Sequence, residues 1–86
     1  MKLIITIIPD DDSEKVSNAL TDKDFRVTQI ASTGGFLRKG KSTLLVGLED
    51  ELLDSALDII KNTTSKSANK DKGVLFVIRV DKFIHF

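Results

Sequence analysis

The chain has 86 residues, with thirteen basic and thirteen acidic side chains and no net charge. That balance excludes a whole-molecule attraction to nucleic acid or to an anionic membrane. The length predicts one domain, residues 1–86, with a core small enough that oligomerisation is a natural source of stability. Without cysteine there are no disulfides or thiolate metal sites, which fits a reducing cytoplasm, and one histidine cannot form a histidine metal cluster.

Residues 2–9 are rich in isoleucine and end at Pro9. Leu3, Ile5 and Ile7 alternate with Ile4 and Ile8, so both faces are apolar and the run predicts a strand covered on both sides. The run is too short for a signal peptide or a membrane span. Asp11 followed by Glu14 fits a helix start. Val16, Ala19 and Leu20 then recur at helical spacing, and the helix is expected to stop near Lys23. Residues 25–32 alternate, with Phe25, Val27, Gln29 and Ala31 on one side and Arg26, Thr28 and Ile30 on the other.

Residues 33–42 read Thr-Gly-Gly-Phe-Leu-Arg-Lys-Gly-Lys-Ser and hold three of the five glycines. Packing alone does not account for them. Gly34 and Gly35 let the backbone turn and approach a ligand closely. Phe36 and Leu37 could cover a flat apolar group, with Arg38, Lys39 and Lys41 nearby for negative charge. A ligand that is both flat and anionic suggests a nucleotide. Gly35 to Ser42 also spells G-x-x-x-x-G-K-[ST], the P-loop pattern, which functions only where a helix follows. Residues 43–48 read instead as a strand, which argues against that use and predicts a hairpin with the preceding strand.

Gly47 interrupts this strand, as glycine does at a bulge or at a close approach by a ligand or another backbone. Glu49, Asp50 and Glu51 suit a helix N-terminus, and Leu52, Leu53, Ala56, Leu57 and Ile60 form an apolar stripe. Residues 62–73 read as a polar, mobile loop. A last strand over 74–81 places Val74, Phe76, Ile78 and Val80 on one face, and residues 82–86 form a short apolar tail. Core packing is the plainer reading of Phe76, and a surface or packing role that of the lone His85.

Strand, helix, strand, strand, helix, strand is the α+β ferredoxin-like βαββαβ arrangement, a four-stranded antiparallel sheet with two helices on one face. Its other face stays apolar, and a homologous subunit is the simplest cover. The fold hosts many functions. A metal-carrying version needs paired cysteines, and an RNA-recognition module needs aromatic residues on the first and third strands. Both are missing here. Arg26 and Thr28 stand out because they lie on the strand that feeds the glycine pair, although solvation at the surface is the ordinary role of such residues.

The opening Met-Lys-Leu-Ile-Ile, Phe25-Arg26-Val27-Thr28, the string from Thr33 to Arg38, and Val80 to Phe86 resemble the PII-like cyclic-di-AMP receptor proteins of Gram-positive bacteria. The resemblance spans nearly the whole chain except residues 62–73. It implies a non-enzymatic, cytoplasmic signal receptor related in fold to the nitrogen regulatory PII proteins. Such a receptor is a homotrimer with nucleotide clefts between subunits, has no cofactor beyond its cyclic-di-AMP ligand, and acts on an unknown downstream protein. Ligand roles carry over to Arg26, Thr28, Gly35, Phe36, Leu37, Gly47 and Phe76. Thr28 and the loop amides would hold adenine edges and phosphate, the apolar residues would flank the purines, and Arg26 would supply charge. Lys41 stands where the family usually has a ligand-contacting asparagine, and could meet phosphate as a point charge. His85 stands where the family usually has glutamine, and the 62–73 loop is much shorter than usual. Lys41 and the short loop favour the alternative, a structural or protein-interaction trimer that has lost its ligand.

Overall fold

A computed structural model of the chain describes residues 1–32 and 40–86. The elements are β1 (Lys2–Pro9), α1 (Asp10–Thr21), β2 (Val27–Ser32), β3 (Lys41–Leu48), a 3-10 turn (Asp50–Leu52), α2 (Leu53–Ser65) and β4 (Val74–Arg79). All strand pairs are antiparallel, in the order β2-β3-β1-β4. This is the expected α+β ferredoxin-like sheet. A strand beginning at Lys41 follows Gly40, so the P-loop-like string has no helix to complete it.

β1 lies in the middle of the sheet, paired with β3 on one side and β4 on the other. Ile4 and Ile8 face the helices with Leu44, Val46 and Leu48 of β3. Val16 and Leu20 of α1 and Ala56 and Ile60 of α2 close this core, and Phe25 plugs its end. Each fully buried Ile or Leu is worth about 1.5–3 kcal/mol of transfer free energy. Leu3, Ile5 and Ile7 point to the other face, where they are only half-buried.

Several local expectations are corrected. α1 starts at Asp10 rather than Asp11, its N-cap is Pro9, and no side chain caps it. Three aspartates in its first turn face the positive end of the helix dipole instead. Ser13 Oγ donates to the Asp10 carbonyl at 2.9 Å, and the Asp10 carboxylate accepts from Ser42 Oγ on β3. The helix ends at Thr21, and Asp24 takes the left-handed backbone conformation (φ 68°) as the chain turns toward Phe25. Aspartate tolerates that region better than most residues.

Strict alternation in β2 fails at Ile30. Gln29 pairs with Leu44 but Ala31 pairs with Thr43, so one extra residue passes between them. A 3-10 turn precedes α2 and leaves Leu52 exposed, outside the apolar stripe. Residues 62–65, expected in the loop, complete α2.

The rest of that loop is tied down. Ser67 Oγ and Asn69 Nδ2 both donate to Oδ2 of the buried Asp12, at 2.7 and 3.2 Å. Lys72 Nζ donates to the Ser67 carbonyl at 2.6 Å. Gly73 then turns the chain into β4 at φ 104°, and a Cβ there would lie 2.3 Å from the Ile7 carbonyl oxygen. Gly73→Ala is therefore expected to lower unfolding free energy by at least about 1–3 kcal/mol, read from urea denaturation. A wild-type midpoint in the variant would contradict this account of the turn.

Candidate functional site

The open face of the sheet is built in rows across the strands. Thr28 of β2, Leu45 of β3, Ile5 of β1 and Phe76 of β4 are register partners in succession. The next row contains Gly47, Leu3 and Ile78. Arg26 lies one step before the Val27–Val46 pair and so flanks Gly47. Val80 N donates to the Met1 carbonyl at 3.0 Å, which carries the chain past the end of β4 beside the first residue.

Gly47 leaves a gap in this surface. Around it lies a hollow of about 590 Å3 with Leu3 and Leu45 at its floor, Met1 and Val80 along one side, Arg26 and Thr28 on the other, and Phe83 of the tail at its rim. That volume is in the range of small-molecule sites, about 300–1,000 Å3. An added Cβ at Gly47 would meet only the terminal methyl of Met1, at 3.3 Å. The glycine is thus not required by the fold at this point. Its absent side chain makes the space.

Three of the sequence-predicted residues, Arg26, Thr28 and Gly47, share this hollow. Arg26 is exposed, and among the described residues no carboxylate pairs with it. An unpaired guanidinium beside apolar walls suits a ligand with both negative charge and a flat apolar body. Gly35, Phe36 and Leu37 lie outside the described residues.

Lys41 and Phe76 sit elsewhere on the same sheet. Phe76 is three strands from Thr28, roughly 14 Å at normal strand spacing, and is 54% exposed rather than packed in the core. Lys41 is six residues along β3 from Gly47, about 20 Å. Its Nζ is 2.8 Å from Asp71 Oδ2, which joins the start of β3 to the loop before β4. Met1, Leu3, Leu45, Val80 and Phe83 were not singled out as site residues by the sequence. The apolar tail was visible, but its return to the sheet follows from the register of β4 against β1.

Among the described residues no cluster of potential ligands could hold a metal ion, and no helix is long and apolar enough to cross a membrane. The fold and hollow together define a small α+β binding domain with an open-faced sheet. A family model described as cyclic-di-AMP receptor matches residues 1–72. The crystal structure of a functionally unknown protein from Pediococcus pentosaceus ATCC 25745 is 32% identical, with 99% of this chain and 96% of that chain covered and a TM-score of 0.79. The chain belongs to the cyclic-di-AMP receptor family, a family of nucleotide-binding signal receptors.

The Lys41–Asp71 pair gives a test of local electrostatics. The ammonium of Lys41 first, then the Gly73 amide that donates to Asp71 Oδ1, holds the Asp71 carboxyl below its ordinary 3.8. A depressed carboxylate pKa contributes stability above the unfolded value and loses it as pH falls through the folded one. The pair should therefore open at a lower pH than the one at which an unpaired aspartate is protonated. In Lys41→Ala, the Asp71 carboxyl titration followed by NMR is expected to move up toward 3.8. An unchanged midpoint would remove Lys41 as the cause.

Proposed function

We propose that this protein is a non-enzymatic signal receptor that binds cyclic-di-AMP in clefts between the subunits of a homotrimer. The observation that carries the reading is the meeting of Arg26, Thr28 and the side-chain-free Gly47 at one hollow on the open sheet face. Family membership supplies the nucleotide. A guanidinium fits the phosphates, the Thr28 hydroxyl can donate to or accept from a base edge, and Leu3, Leu45 and Val80 suit an apolar ring face. Among the described residues, Arg26 is the one ionisable side chain in the lining, which supports binding rather than acid–base chemistry. The composition supports a cytoplasmic setting, since a chain without cysteine is suited to reducing conditions.

The trimer rests on the open face. Leu3, Ile5, Ile7 and Leu45 are half-buried there, and Val74, Phe76 and Ile78 are exposed. An apolar surface of this extent calls for a cover, and neighbouring copies can bring Phe76, Lys41 and the glycine-rich segment to a cleft whose other wall is the hollow. One observation favours the second reading, an interaction trimer without ligand. Lys41 is already engaged by Asp71, and a phosphate would have to compete with that partner.

Calorimetric titration with cyclic-di-AMP, ATP and AMP separates the two readings. Cyclic-di-AMP is expected to bind, and Arg26→Ala to weaken binding by about 1.5–3 kcal/mol, the range for a hydrogen bond to a charged group. Lys41→Asn is expected to keep or improve affinity. Silence of both wild type and Lys41→Asn toward every nucleotide would leave the interaction trimer. Sedimentation analysis should give a trimer at micromolar concentration, and a stable monomer would defeat both readings.

A further inference from the structure

We infer that Phe83, in the C-terminal tail, is the aromatic wall of the hollow and stacks on one flat heteroaromatic ring of the bound nucleotide. The inference rests on the proposed binding function and adds a residue and a contact to it.

Phe83 is the aromatic residue among the described side chains that line the hollow. It is 66% exposed, so its ring contributes little to the fold and is accessible to a partner. Its place is set by a specific device. The Val80 amide bonds to the Met1 carbonyl, which keeps the chain in register past Arg79. The chain bends at Asp81 and brings Phe83 to the rim of the hollow, with the Gly47 gap and the Arg26 side in the same lining.

Both the ring and the guanidinium favour flat partners. A planar guanidinium stacks on π-systems as well as pairing with anions, and base–aromatic stacking tolerates any base because each has a π-face. A purine entering over Gly47 would find no side chain on the floor at that point, a phenyl ring at one rim and a guanidinium in the wall. The other exposed apolar tail residues, Ile84 and Phe86, do not line the hollow.

The chain contains neither Trp nor Tyr, so Phe83→Trp introduces a single indole whose emission reports on this position alone. Calorimetry and fluorescence with cyclic-di-AMP test the inference, with circular dichroism and sedimentation checking that each variant keeps the wild-type fold and assembly. Phe83→Ala is expected to bind roughly 5- to 150-fold more weakly, the range spanned by a lost base–aromatic stack. Phe83→Leu, which keeps apolar bulk without a π-face, should also bind more weakly than wild type. Phe83→Trp should retain binding, with its emission changing along the calorimetric isotherm. Ile84→Ala should bind as wild type does.

Wild-type affinity in Phe83→Ala would overturn the inference while leaving the receptor reading intact. Equal losses in Phe83→Ala and Ile84→Ala would overturn it too, by assigning the effect to the tail rather than the ring. A fluorescence signal that stays flat while calorimetry shows binding would have the same consequence. Silence of wild-type protein toward cyclic-di-AMP would defeat the receptor reading itself, and the inference with it.

Discussion

Both faces of β1 are apolar, and the described elements of a single subunit cover only one of them. The strand is central, so Ile4 and Ile8 sit under the helices while Leu3, Ile5 and Ile7 must face the other way. With two helices on the same side, no described helix or strand covers the second face. The open face is therefore a consequence of where the isoleucines fall in a strand of period two. Everything proposed for function is on that face: the Gly47 gap, the Arg26 and Thr28 side chains, and the apolar surface that neighbouring copies would cover.

The same constraint explains why the hollow is where it is. An uninterrupted run of leucine and valine along β3 would give a flat apolar sheet surface suited only to packing. Gly47 removes one side chain from that surface near the end of the strand, where β2 begins and where the chain leaves β4. Arg26 and Phe83 come from these two segments, at opposite edges of the sheet, and both line the hollow. Neither belongs to the regular part of a strand. Their placement is nonetheless fixed by strand register, since Arg26 precedes the Val27–Val46 pair and the tail follows the Val80–Met1 hydrogen bond.

The periodic features of the sequence were the legible ones. Alternation in β1 and the helical recurrence of Val16 and Leu20 depend on neighbours along the chain, and they gave the architecture. Arg26, Thr28 and Gly47 were also legible as candidates, because a charge, a hydroxyl and a glycine stand out in apolar strands. What was not legible depended on contacts distant in sequence. The extra residue between Gln29 and Ala31 appears only as a shift against β3. The 62–73 segment has the composition of a mobile loop. Yet its first four residues finish α2, and Ser67 and Asn69 are held by Asp12, more than fifty positions earlier. Phe83 reads as an apolar tail until β4 is placed beside β1.

These distant contacts also gather at one end of the sheet. Ser42, next to Lys41 at the start of β3, donates to Asp10 in the first turn of α1, and Asp12 in the same turn holds the loop through Ser67 and Asn69. Asp71 returns from that loop to Lys41. The chain thus closes a polar circuit at the base of the glycine-rich segment, far from the hollow but on the same sheet. Within one subunit, about 20 Å of β3 separates the circuit from Gly47, too far for the Lys41 side chain to bridge. In the proposed trimer, a neighbouring copy is what would bring a second Lys41 near the hollow. On the proposed reading, affinity for a ligand that contacts the hollow of one copy and Lys41 of another would depend on assembly.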